Sequence, residues 1–268
     1  MPTLSLEDVD LYYECHGEGP AFLMISTTAS DGEPWKKHQV PEFSRDHTVV
    51  IFDQRDTGKS KAKTKELTTD IIARDAVAIL DHLGLDQAIV MGHSMGGRVA
   101  QNIALDHPKY CRKLILVSSG APVSAKGLPL LPLVRLIEDG YENYIREHSI
   151  WVGYTKEFAE KNTEEVDEFI SARMASIVPV ETYLRYVLAR QEHDTAARLK
   201  DIKVPTLVMV GEDEGHALSD TSHLAAAQRY AKEIPGATFA SLPDQGHFYP
   251  YCAPDETHKI IRDFLATT

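Results

Sequence analysis

Short apolar runs alternate with amphipathic stretches over most of the chain. Leu11-Tyr12-Tyr13-Glu14-Cys15 reads as a strand, closed by the turn residues Gly17-Glu18-Gly19-Pro20. Ala21 to Ser26 and His47 to Phe52 are nearly unbroken apolar runs, as expected of strands covered on both faces. Trp35 to Phe43 between them reads as a helix. From Thr68 to Leu83 the apolar residues Ile71, Ile72, Ala76, Ile79, Leu80 and Leu83 form one helical stripe, with Thr69 or Asp70 as cap candidates. Ala88 to Met91 is a strand, Gly97 to Leu105 a helix, and Lys113 to Ser118 a strand again.

The rhythm then changes. Pro122 to Leu199 holds no short β-branched run and reads as helical and highly charged. Afterwards the alternation resumes, with strands at Pro205–Gly211 and Thr238–Leu242 and helices at Leu224–Ile234 and Glu256–Leu265. Strands alternating with helices predict an α/β domain with a mostly parallel sheet flanked by helices. Residues 1–121 and 200–268 would form the core, with 122–199 inserted as a helical cap.

The junction Val90-Met91-Gly92-His93-Ser94-Met95-Gly96-Gly97 carries the sharpest chemical signal. A G-x-S-x-G between a strand and a helix is a nucleophile elbow, whose small flanking residues let the backbone turn tightly and leave the serine exposed at the tip. Ser94 then sits at the helix N-terminus, where unpaired N–H groups, that of Met95 first, can hold a developing oxyanion. A serine needs a base and an orienting acid. Sites form at the carboxyl edge of parallel strands, and three loops fall there: Ser26-Thr27-Thr28-Ala29-Ser30-Asp31-Gly32, Glu212-Asp213-Glu214-Gly215-His216, and Pro243-Asp244-Gln245-Gly246-His247-Phe248.

Composition narrows the partners. The net charge of −12, from 28 Lys+Arg against 40 Asp+Glu, argues against nucleic acid, whose binding rests on basic residues. Cys15, Cys111 and Cys252 are odd in number and lack C-x-x-C spacing, so neither a disulfide framework nor a zinc site is expected. The start Met1-Pro2-Thr3-Leu4-Ser5 is unlike a signal peptide, and no apolar run approaches the ~20 residues of a membrane span. A cytoplasmic protein acting on a small molecule is expected, without metal or cofactor and without membrane attachment; a homodimer is compatible with this.

On these motifs the chain resembles the α/β-hydrolase family. The matching residues are Gly92-His93-Ser94-Met95-Gly96-Gly97, Val204 to Glu214, and Gln245-Gly246-His247-Phe248. Asp53-Gln54-Arg55-Asp56-Thr57-Gly58-Lys59-Ser60 also resembles the family's D-x-R-G-x-G-x-S, with Asp56 in place of the first glycine. The resemblance implies Ser94 as nucleophile, His247 as general base and a carboxylate in the order Ser…acid…His. The acid position is Glu214, with Asp213 as the second choice; His216 is a rival to His247. The family's usual His-Gly after the first central strand is replaced by Ser26-Thr27-Thr28, so the second oxyanion donor would come from Thr27 or Thr28.

Together these imply a serine hydrolase of a small or medium carboxylic ester, lactone or thioester, working through an acyl-enzyme and in the manner of a carboxylesterase or lactonase. The alternatives are a carbon–carbon bond hydrolase or lyase using the same triad, and a low-turnover ligand-binding protein. Phe248, Trp151, Tyr154 and Tyr183 are candidates for the substrate pocket, with Tyr186 beside them. An arginine facing that pocket (Arg55, Arg98 and Arg173 are the candidates) would favour a carboxylate-bearing substrate.

Overall fold

The computed structural model describes residues 2–119, 138–212 and 223–267. Its centre is a sheet in the order β1-β2-β4-β3-β6-β7-β8-β9, with β5 also paired to β2. The strands are β1 (Thr3–Ser5), β2 (Val9–His16), β3 (Ala21–Ile25), β4 (Thr48–Phe52), β5 (Lys61–Ala62), β6 (Ala88–His93), β7 (Cys111–Val117), β8 (Thr206–Gly211) and β9 (Thr238–Leu242). From β4 to β9 every pairing is parallel, and β1, β2 and β5 join antiparallel at one edge. The mostly parallel sheet read from the alternation is present.

The unbroken apolar runs make sense once both faces are covered. Leu23, Ile25, Val50 and Val90 point into a core shared with α2 (Thr69–His82) and α3 (Met95–Asp106). Phe22, Met24, Val49, Ile51 and Met91 point the other way, onto Val40 and Phe43 of α1 (Gln39–Phe43) and onto Ile261 and Phe264 near the C-terminus. Alternate residues of each strand therefore serve opposite layers, as a period of two requires.

Two expectations about helices are corrected. Trp35 to Phe43 is not one helix: a single 3-10 turn, Glu33–Lys36, precedes the short α1. Pro41 lacks an N–H and its ring excludes the preceding turn, so it is tolerated only within the first turn of a helix that begins at Gln39. The cap of α2 is Thr68, whose side chain accepts a hydrogen bond from the Ile71 N–H at 3.0 Å, rather than Thr69 or Asp70.

Between β7 and β8 the described residues contain no strand. They form α4 (Tyr141–Gly153), α5 (Lys156–Lys161), α6 (Thr163–Ala175) and α7 (Val180–Glu192). These helices share two small apolar clusters, one of which takes in Phe248 and Tyr251. The last of them is fastened to the main core: Tyr186 is fully buried and its hydroxyl donates to the Arg55 carbonyl at 2.7 Å. Beside it Arg185 reaches Asp56 at 3.2 Å. Asp56 holds φ +56, a conformation in which glycine is the unstrained residue. Its carboxylate, in return, ties the inserted helices to the sheet domain.

The remaining helices are α8 (His223–Glu233), α9 (Tyr249–Cys252) and α10 (Pro254–Leu265). None of the described helices is long and apolar enough to cross a membrane.

Candidate active site

The order of the chain reverses at β3, which lies between β4 and β6. Ile25 at the end of β3 pairs with Gly92 near the end of β6. The loop after Ile25 and the turn at Ser94 therefore emerge side by side at the carboxyl edge, the place where open parallel sheets bind ligands.

Ser94 has φ +57 and ψ −114, a conformation that costs a non-glycine residue on the order of 1–3 kcal/mol. Its backbone is held there by its own N–H on the Val117 carbonyl at 2.8 Å and by its carbonyl, which accepts from Gly97 at 3.1 Å. The glycines allow the crowding. A Cβ on Gly92 would lie 2.1 Å from the Gly96 carbonyl oxygen, and one on Gly96 would lie 2.2 Å from that of Ile25. Met95 opens α3, so its N–H has no acceptor within the helix.

The Ser26–Asp31 loop meets the lack of glycine by another route. It turns at Ala29, which takes φ +51. Gln54 is fully buried beneath the loop and its amide donates to the carbonyls of Thr27 at 2.9 Å and Ser30 at 3.0 Å. Asp53, one residue earlier, accepts from the N–H groups of Gly32 (3.0 Å) and Lys59 (2.8 Å). The hydroxyls of Ser26 and Thr28 are buried without a hydrogen-bond partner. An unpaired buried hydroxyl costs on the order of 1–3 kcal/mol.

His247 is buried in the turn after β9. Its N–H bonds the Val152 carbonyl at 3.2 Å, and the Phe248 N–H bonds that of Gly153 at 2.9 Å. The end of α4 thus fixes the histidine turn. From the elbow side, His93 Nε2 donates to the His247 carbonyl at 2.9 Å, so Nε2 carries the proton. The two rings lie 5.0 Å apart between centroids, and the His223 ring lies 4.5 Å from that of His247, tilted by 39°. Ser94, Met95, the Thr27–Thr28 loop and the His247 turn are brought to one place. Glu214, Asp213 and His216 lie outside the described residues.

The sequence reading missed Gln54, His93 and Gly153. His93 was visible only as a variable position of the elbow, and Gln54 as a variable position of the D-x-R segment. Their partners lie far along the chain, which a local pattern does not show.

A cavity of about 370 Å³ opens between the Ala29–Lys37 stretch and the inserted helices, a size suited to a small molecule. Tyr154 and Tyr183 line it. Phe248 does not: its ring packs against Phe169, Tyr154 and Tyr251. Trp151 is 54% exposed and also lies off the cavity wall.

The three arginines separate cleanly. Arg55 is bound through two nitrogens to Asp75 (2.6 and 2.7 Å) and also reaches Asp8 at 2.7 Å. Arg98 is buried beneath α3 and donates to the Arg190 carbonyl. Arg173 lines the cavity. Close by, burial and the neighbouring Asp53 push the Asp31 carboxyl up to about 6. Among the described residues no cluster of three or more His, Cys, Asp or Glu side chains could hold a metal.

Residues 20–251 match the family model described as alpha/beta hydrolase fold. A protein of Azorhizobium caulinodans named "Putative carbamate hydrolase RutD" is 27% identical over 266 residues, covering 98% of each chain. Among solved structures, Est816, described as an N-acyl homoserine lactone degrading enzyme, is 26% identical with TM-score 0.84, covering 98% of this chain and all of its own. The enol-lactonase from Burkholderia xenovorans LB400 shares the fold at 23% identity and TM-score 0.84, over 98% of this chain and 99% of its own. With the family model covering most of its length, and with the elbow, sheet order and histidine turn in place, the chain belongs to the alpha/beta hydrolase fold family.

Proposed function

We propose that the protein hydrolyses a small or medium carboxylic ester, lactone or thioester, with Ser94 as nucleophile. The observation that carries this reading is the strained Ser94 held beside the His247 turn at the carboxyl edge of the sheet. His247 takes the hydroxyl proton as Oγ bonds to the carbonyl carbon. The resulting oxyanion is held by the Met95 N–H and a backbone N–H of Thr27 or Thr28. His247 then returns the proton to the departing oxygen or sulfur as that bond breaks, and water releases the acyl group by the same steps in reverse order. Glu214, or Asp213 beside it, is assigned to hold the imidazole in its productive tautomer.

The lactone-degrading neighbour and the carbamate name of the relative both concern a carbonyl carbon carrying a heteroatom leaving group, and so support this reaction type. Carbon–carbon hydrolysis is the second reading, favoured by an arginine in the cavity wall. An activated phosphonate probe tests the nucleophile: it is expected to label the protein and not its Ser94→Ala variant. Aryl esters, a lactone and an aryl carbamate, assayed in parallel, then sort the leaving group. Absence of labelling would refute the assignment. Labelling without turnover of any of these would transfer it to the carbon–carbon class.

A further inference from the structure

The cavity wall is charged, but its charges mostly cancel. Lys36 bonds Glu14 at 2.6 Å and Glu33 at 2.7 Å, and Lys37 bonds Glu168 at 2.8 Å. Glu165 has no ion pair among the described residues, and neither does Arg173. No carboxylate among the described residues lies within ion-pair distance of it, and its Nε is buried with no hydrogen-bond partner. The groups that influence it are the phenols of Tyr183, Tyr141 and Tyr251 and, more distantly, Asp31. Asp31 accepts the Glu33 N–H at 3.2 Å. In the same wall the Tyr154 hydroxyl is also buried without a partner.

Arg173 is half-buried, and its Nε is buried without an acceptor, which is costly because that N–H has lost its water and no protein group replaces it. Burial accordingly pulls its pKa down. Proteins hold such a group where a ligand supplies the missing acceptor. We propose that Arg173, with the Tyr154 hydroxyl in the same wall, is the binding site for a carboxylate on the ligand, in a cavity whose lining includes neither Ser94 nor His247. This rests on the hydrolase reading only for what happens to the ligand after it binds.

A carboxylate fits better than a phosphate. A planar guanidinium pairs with a carboxylate through two parallel hydrogen bonds. The site offers one cation and already lies in the field of Asp31, which disfavours a dianion. The substrate class becomes a monoester, lactone or thioester of an acid that bears a second, free carboxylate.

Calorimetric titration of monomethyl glutarate, dimethyl glutarate and inorganic phosphate tests this directly. The Ser94→Ala protein serves as background, so that no bond is broken. Monomethyl glutarate is expected to bind at least about 30-fold more tightly than the dimethyl ester. Arg173→Gln should lose about 30-fold or more, and Arg173→Lys should also lose affinity, though less, because an ammonium keeps the charge but not the two parallel hydrogen bonds. A second readout needs no ligand: Arg173→Met should melt above the parent, because it removes a buried N–H that has no acceptor.

Equal binding of the two glutarate esters, or unchanged binding in Arg173→Gln, would overturn the proposal. Tighter binding of phosphate than of the monoester would overturn the choice of carboxylate. A lower melting temperature for Arg173→Met would make the arginine a packing residue and overturn it as well. Arg173-dependent binding in a protein that hydrolyses no ester would refute the reaction proposed for Ser94 while leaving the carboxylate site supported.

Discussion

Gly153→Ala tests how the histidine is positioned. A Cβ at this position would lie 2.1 Å from Phe248 Cδ2 and 2.5 Å from Cε2. Ordinary carbon contact begins near 3.5 Å, so the ring must retreat by about 1.4 Å or α4 must move. The ring has little room, with Phe169 at 4.7 Å and Tyr154 at 5.9 Å between centroids. Nor can the backbone yield freely, because the Phe248 N–H is bonded to Gly153 itself and the His247 N–H to Val152. Overpacking of this kind costs about 1–3 kcal/mol. Displacement of a catalytic group by about 1 Å costs on the order of 100-fold in turnover. Thermal unfolding and turnover of the best aryl ester are to be measured for Gly153→Ala, Phe248→Leu and the double variant. The double variant should recover part of both losses, since a smaller side chain makes room for the methyl. A Gly153→Ala protein with parental stability and turnover would refute the claim that this contact sets the His247 turn.

Two further substitutions probe the opposite side of the site. Gln54→Leu strips the Thr27 and Ser30 carbonyls of their buried donor; it should lower stability by about 2–3 kcal/mol in chemical denaturation and reduce turnover with KM little changed, whereas an unchanged denaturation midpoint would refute the anchoring role. Asp31→Asn should stabilise the protein in a pH-dependent way. The folded-state pKa of Asp31, about 6, stands above the ordinary aspartate value of 3.8, so between those values the folded protein keeps a proton that the unfolded chain has released. Stability therefore falls as pH rises through that window, by up to about 3 kcal/mol at 1.36 kcal/mol per pH unit. Melting curves should show a gain for Asp31→Asn at pH 8 and none at pH 4; an equal gain at both would show that the carboxyl does not titrate there.

The order of strands and helices, the mostly parallel sheet and the elbow were legible because each depends on local sterics. Period-two and period-3.6 patterns repeat within a few residues, and glycines at 92 and 96 announce a backbone that closes on itself. Pro41 and Thr68 carried local signals as well, and a closer reading would have divided the first helix and capped the second at Thr68. His93, Gln54 and Gly153 were different. Each acts on a residue distant in sequence, and His93 sits 154 positions from the carbonyl it holds.

Sequence alone thus determined which serine comes to the sheet edge, since a strand ending in a glycine-flanked turn has few conformations open to it. It left Arg55, Arg98 and Arg173 equivalent. Tertiary structure distinguished them by supplying two aspartates to the first, a backbone carbonyl to the second and, among the described residues, no ion-paired carboxylate to the third, whose Nε has no hydrogen-bond partner. Whether a charge is satisfied depends on what lies within a few ångströms in space, and neighbours in space are set by packing rather than by position along the chain.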